Sequence, residues 1–307
     1  MSMPQRPLVG IVLLILSTWA LSSLDASGKW IMAAGLPLLV MCWARYLIHW
    51  ILVAAVVIPL RGVGVFRAQR PRDQILRGLI MLFATLSFFS ALRYLPQAEA
   101  TAINFLAPLL VLSVAPWVLK EPPRISRWIA AGVGFLGVLL IIRPSAGLHP
   151  LGVMFGLITA VLFATQFIVT RRLASEDAFT TLIWSGSVGT VLTSLLMPFI
   201  LPEIWPMFSS FSLTEWLVLA ATGVFGALGH LLQIQAYQRA SASLLAPFVY
   251  TQIISAAGLG WLIWGQFPDA LSWLGIAIVC GSGAVIAYIE WRRQQKTKRA
   301  AASPAQK

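Results

Sequence analysis

Four ionisable residues, Asp25, Arg45, His49 and His230, stand inside stretches that are otherwise apolar and almost free of charge. Holding an ion at mid-bilayer costs at least about 2.5–3.5 kcal/mol on insertion scales, so each such group calls for a partner or a wet cavity. Arg45 is the deepest. Counted from Pro37, it lies roughly 12 Å along a helix, and His49, four residues on, shares its face. Asp25 lies about one turn inside the Lys29 end of the first apolar stretch, within reach of a long arginine. An Asp25–Arg45 pair is the expectation, either as a structural salt bridge between two helices or as a substrate or proton site. His230 has Gln233 one turn on and aligns with Thr85 in the first half of the chain. Two readings stay open for it: a neutral imidazole bonded to a neighbouring helix, or a cavity group that binds substrate or titrates.

Chemistry of other kinds finds little footing. No metal-ligand cluster, catalytic triad, Walker motif or pair of deep carboxylates is present, so an enzyme is disfavoured and neither metal nor cofactor is expected. The two cysteines, Cys42 and Cys280, fall in apolar segments of different halves and suggest no disulfide framework. Gly132, Gly134 and Gly137 match the dinucleotide fingerprint in spacing but lie inside an apolar segment with no preceding strand, which makes them helix-packing residues. Glu99 opens an apolar segment, where the helix dipole stabilises an acid. Pro108, Pro116 and Pro247 fall inside segments, where each removes a backbone hydrogen bond and favours a kink.

The elements that must position these residues are membrane helices. Of the 307 residues 59% are hydrophobic and 10% charged, with a mean hydropathy of +0.84, more apolar surface than a soluble domain could hide. About 20 apolar residues span a bilayer, and such stretches recur: between Glu99 and Lys120, between Asp177 and Glu203, and between Asp269 and Glu290 no Asp, Glu, Lys or Arg intervenes. Ten segments are expected, at 8–27, 36–59, 75–95, 98–119, 126–142, 150–171, 179–200, 213–236, 243–264 and 270–289. Five fall in each half, so a tandem repeat must insert upside down the second time. Placing the N-terminus in the cytoplasm puts most basic residues inside, Arg6, Arg61, Arg67, Arg70, Arg72, Arg77, Lys120, Arg124 and Arg127 among them; Lys29, Arg93 and Arg143 fall outside. The net charge of +12 therefore reflects topology, and no nucleic-acid partner is implied. The tail from Arg292 reads as a disordered cytoplasmic end able to hold anionic headgroups.

A faint repeat supports the two halves: a shift of 145 places Gly78 on Gly223, Leu86 on Leu231, Ala91 on Ala236, Pro123 on Pro268 and Trp128 on Trp273. Rows of small residues, Gly223, Gly226 and Gly229, then Gly258 and Gly260, are expected to permit close helix contact. The stretch from Ala91 through Tyr94-Leu95-Pro96, followed by Ala98 to Pro108 and closing on Lys120-Glu121-Pro122, resembles the EamA repeat of the drug/metabolite transporter superfamily. The second half repeats it from Ala236 through Leu245-Ala246-Pro247 and Tyr250 to Gln266-Phe267-Pro268. Gln266 stands where many relatives carry Glu.

The resemblance implies an all-α membrane protein of ten transmembrane helices in two inverted five-helix repeats, at 1–145 and 146–290, with a basic tail at 291–307. It implies a bacterial-type inner membrane location, both termini cytoplasmic, and alternating access around a cavity lined by helices one, three, four, six, eight and nine. On those helices Ser22, Tyr94, Asn104, Gln166, Tyr250 and Gln252 become cavity candidates beside Asp25, Thr85, Glu99, His230 and Gln233, although interhelical hydrogen bonding explains each equally well. The expected activity is secondary transport of small organic metabolites, chiefly export of aromatic or neutral amino acids. Drug efflux, metabolite uptake, and a channel or binding protein stand as alternatives. The partners are a small-molecule substrate and the lipid bilayer; a coupling proton, and a monomer or homodimer, stay open.

Overall fold

In the computed structural model, residues 7–107, 109–111, 114, 125–143, 147–173, 175–239, 245 and 248–302 are described. Their helices are α1 (Pro7–Ala33), α2 (Leu38–Arg61), α3 (Pro71–Tyr94), α4 (Gln97–Asn104), α5 (Ile125–Ile141), α6 (Pro150–Arg172), α7 (Ala178–Ser210), α8 (Leu213–Arg239), α9 (Thr251–Trp264) and α10 (Ala270–Ala302). Six of them, α1, α2, α3, α6, α7 and α8, are long and apolar enough to cross a membrane, and shorter apolar helices lie in α5, α9 and α10.

The ends follow local chemistry. Pro71 opens α3, where its missing N–H costs nothing. Asp177 caps α7 by accepting from the Phe179 and Thr180 amides. Gly265 ends α9 at φ 66°, a conformation a side chain would strain. Three expectations are corrected here. The segment expected to end at 200 runs on, so that Pro202 and Pro206 lie inside α7 with Pro198 at four-residue spacing. The segment expected to end at 27 continues to Ala33, so that Gly28 lies within α1, where the Phe89 ring occupies the place of a side chain. The tail read as disordered continues α10 as helix to Ala302.

Helix pairing carries the internal symmetry. α1 packs on α8 as α6 packs on α3, α2 meets α8 as α7 meets α3, and α1 meets α9 as α6 meets α4. Exchanging each helix with the one five places on leaves this pattern unchanged. Equivalent helices run in opposite directions: Trp43 bonds Ser194, whereas Trp50, seven residues later, bonds Ser187, seven residues earlier, so α2 and α7 are antiparallel. In the same way Gly137 meets Gly275 while Arg143 meets Asp269, so α5 and α10 are antiparallel. Five helices per half among the described residues, with equivalents reversed, make an inverted repeat.

Close approach rests on glycine where expected. A side chain on Gly223, Gly226 or Gly229 would meet Ile48, Leu24 or Leu21, and one on Gly78 would meet Val188. Gly134 and Gly137 face Leu109 and the Gly275 carbonyl, in keeping with helix packing. Gly258 and Gly260 differ: Gly258 makes ordinary contact with Trp19, and the Gly260 carbonyl accepts from Gln266 N–H in the α9 cap.

At the head of α10, Asp269 accepts from the Ser272 amide at 2.7 Å and pairs with Arg143, two residues past the end of α5. The Ser272 bonds, then Arg143, hold its carboxyl below the usual carboxylate range. A depressed folded value means the stabilisation is present above the ordinary carboxylate pKa and fades as pH falls through the folded one. Acidification is therefore expected to fray the first turn of α10, read as faster amide exchange at Ser272 and Trp273 relative to the middle of the helix; unchanged relative rates would refute this.

Candidate functional site

The deep charges converge on one layer between α1, α2, α3 and α8. Arg45 donates from its guanidinium to Thr85 Oγ1 at 3.1 Å, and the Tyr46 hydroxyl lies 2.9 Å from the same oxygen. The guanidinium stands over the rings of Tyr46 and Phe89, at 5.1 and 5.7 Å from their centroids. One turn along α2, His49 meets His230 of α8 edge to face, 5.6 Å between ring centroids, and Gln233 engages the His230 side chain. The expected Asp25–Arg45 ion pair does not close. Thr85 takes the guanidinium, and among the described residues Asp25 has no hydrogen-bonding or ion-pair partner although it is buried. Arg45 still acts on Asp25 across space.

Arg77, counted above with the inner-side charges, belongs to this interior. Its guanidinium donates to Thr170 Oγ1 of α6 at 2.8 Å and to Ser185 Oγ of α7, tying three helices together. Arg77, Thr85 and Phe89 recur at multiples of four along α3, so one face carries all three. That periodicity, together with Tyr46 beside Arg45, was the available signal for both missed residues. Gln166 is buried one turn before Thr170, and its Oε1 has no partner among the described residues.

A second polar seam joins α1, α4 and α9. Ser22 Oγ lies 2.6 Å from Ser255 Oγ and bonds the Gln252 carbonyl, while Thr18 meets Thr251. Ser22 thus acts as interhelical glue, and it is the Gln252 main chain that is engaged. Gln97 donates to the Ser22 carbonyl at 2.8 Å. On α4 the atoms Gln97 Oε1, Glu99 Oε2, Thr101 Oγ1 and Asn104 Oδ1 are buried without a partner among the described residues. Glu99 sits in the first turn of α4 as expected, and it is buried, at 6% exposure. An orphaned buried hydroxyl destabilises the state that holds it by about 1–3 kcal/mol, so Thr101→Val should raise the melting temperature in detergent. A fall would show that the hydroxyl has a partner.

Near the Gly35 end of α1, Lys29 donates to the Leu95 carbonyl at 2.8 Å and to Gln266 Oε1 at 3.2 Å, with its ammonium 4.9 Å from the Trp264 ring centroid. Two sequence candidates stand apart from the deep layer. Tyr94 stacks on His149 and is 42% exposed. The Tyr250 ring packs on Phe105 and fills the space over Gly283, linking α9 to α10. Pro108, Pro116 and Pro247 lie outside the described residues.

Known proteins place this arrangement. The model of the EamA-like transporter family matches residues 8–143 and again 150–288. The S-adenosylmethionine uptake transporter of Rickettsia prowazekii is 27% identical over 75% of this chain and 76% of its own length. The pseudopaline exporter of Pseudomonas aeruginosa is 28% identical over 94% and 97%, and the riboflavin transporter of Vibrio cholerae 26% identical over 97% and 99%. A solved crystal structure shares the fold with a TM-score of 0.63 at 22% identity, covering 93% of this chain and 97% of its own. The chain belongs to the EamA-like transporter family: it is a multi-pass membrane transporter of small metabolites and not an enzyme.

Proposed function

We propose that this transporter exports amino acids, aromatic and neutral ones first, by alternating access, with both termini in the cytoplasm. The observation that carries the reading is the layer in which buried Asp25, His49 and Thr85 meet half-buried Arg45 and His230 inside their helices, with an acid and a base that leave one another unpaired among the described residues. Charge held at such depth without a closed pair is suited to a polar cargo that completes it. The inverted pairing of the halves supports rocking about that layer, and membership of a family of small-molecule carriers supports the transport step. The relatives include both an uptake carrier and an exporter, so direction is part of the proposal.

The test is counterflow in proteoliposomes without ATP: saturable exchange of labelled phenylalanine or leucine against unlabelled amino acid is expected. In cells, expression should protect growth against toxic amino-acid analogues. Non-saturable flux would indicate a channel, and sensitisation of the cells in place of protection would indicate uptake.

A further inference from the structure

Asp25 and Arg45 are opposite charges close enough on neighbouring helices to act on one another, with no direct contact between them. On α1, Leu24 reaches Gly226 and Gly28 receives the Phe89 ring. On α2, His49 Nδ1 reaches the same Gly226 and the Arg45 guanidinium stands over the same Phe89. Asp25 lies between Leu24 and Gly28, so its stretch of α1 and the Arg45–His49 stretch of α2 are pinned against common neighbours. Thr85 and the two rings hold Arg45 in place, and the Asp25 carboxylate carries no hydrogen bond from the described residues.

We propose that Asp25 and Arg45 form a two-ended clamp for the backbone of a free α-amino acid, with Asp25 taking the ammonium and Arg45 the carboxylate. This rests on the amino-acid reading above. An α-amino acid presents opposite charges on adjacent carbons, and inserted between the two side chains it converts one open pair into two charge-assisted contacts. A guanidinium offers parallel donors to a carboxylate, and an aspartate accepts from an ammonium. Phe89, beneath Arg45, gives the clamp an apolar wall, which suits cargo with an apolar side chain.

The experiment uses the full chain in proteoliposomes and measures inhibition of phenylalanine counterflow by 3-phenylpropionate, which lacks the amine, and by phenethylamine, which lacks the carboxylate. Ligand-induced melting shifts in detergent give the same ratios for variants too slow to assay. The wild type should prefer phenylalanine over either analogue by about 10- to 100-fold, the worth of one charge-assisted contact. In Asp25→Asn the preference over 3-phenylpropionate should collapse towards one while that over phenethylamine persists; in Arg45→Gln the converse is expected. Asp25→Glu and Arg45→Lys should keep the preferences at reduced affinity, and they serve if the first variants fail to fold. Preferences that are lost together, or unchanged, in the variants overturn the clamp while leaving amino-acid transport standing. A wild type that neither exchanges nor binds phenylalanine, leucine or other neutral amino acids overturns both readings.

Discussion

Lys29→Met should open the molecule at the Gly35 end. One ammonium holds the α3–α4 link through the Leu95 carbonyl and the α9–α10 link through Gln266, and it lies over Trp264. It thereby joins α1 of the first half to both halves of the chain on that side. Hydrogen bonds to a charged group contribute about 1.5–3 kcal/mol each, so the net loss of even one should shift a two-state equilibrium by roughly 10- to 100-fold. Cys42 reports on it: the thiol is fully buried on α2, one turn from Tyr46 towards the Gly35 end. A membrane-impermeant thiol reagent should modify Cys42 at least tenfold faster in Lys29→Met than in the wild type, with Cys280 labelling unchanged as the control for general loosening. Gln266→Glu should act in the opposite sense, adding a carboxylate opposite Lys29 and slowing both labelling and transport. Equal Cys42 rates in all three proteins would show that the contact does not hold that end shut.

The sequence is explicit about what depends on bulk properties. Length and apolarity mark the segments, and an odd number per half together with the 145-residue shift from Gly78 to Gly223 points to the inverted halves, whose two glycines face equivalent partners, α7 and α2. Element ends are less legible. α7 runs on through Pro198, Pro202 and Pro206 because a proline removes only its own backbone donor, and within a long helix neighbouring bonds persist. The tail is helical because α10 supplies a nucleus from which a chain without Gly or Pro between Gly283 and Ala302 can extend.

The site was legible in its members and not in its pairings. Burial cost alone singles out Asp25, Arg45, His49 and His230, and they do fall in one layer. Which group satisfies Arg45 depends on how α2 and α3 face one another, and a chain read in one dimension cannot say that Thr85, forty residues away, lies nearer than Asp25. Arg77 was hidden by the charge asymmetry that revealed the topology: a basic residue near a helix end counts equally as a loop charge or as an interior one until Thr170 and Ser185 are seen around it. Tyr94 was drawn inward by its place in the repeat, yet its ring is carried to the end of α3, where His149 offers a stacking face.

Glycine substitutions separate packing from helix propensity with opposite signs. In a helix interior Ala is favoured over Gly by about 1 kcal/mol, so Gly→Ala should stabilise wherever the new methyl meets nothing. Gly132 of α5 is such a place, with open space around it, and Gly132→Ala should raise the melting temperature. At Gly223 the new carbon would be driven into the Ile48 side chain and to 3.1 Å from the His49 amide nitrogen, which is backbone and has nowhere to yield. Overpacking of that kind costs about 1–3 kcal/mol, which outweighs the propensity gain, so Gly223→Ala should melt lower than the wild type. Leucine adds three further carbons to the same collision, and Gly223→Leu should yield little or no folded protein. The pseudo-symmetric Gly78, whose new carbon would lie 2.6 Å from Val188 Cβ on α7, should respond in the same direction but less, because a side chain and not a backbone amide is the obstacle. A Gly223→Leu protein that folds and transports normally would mean that α8 does not lie against α2 as placed here, and the His49–His230 contact would fall with it.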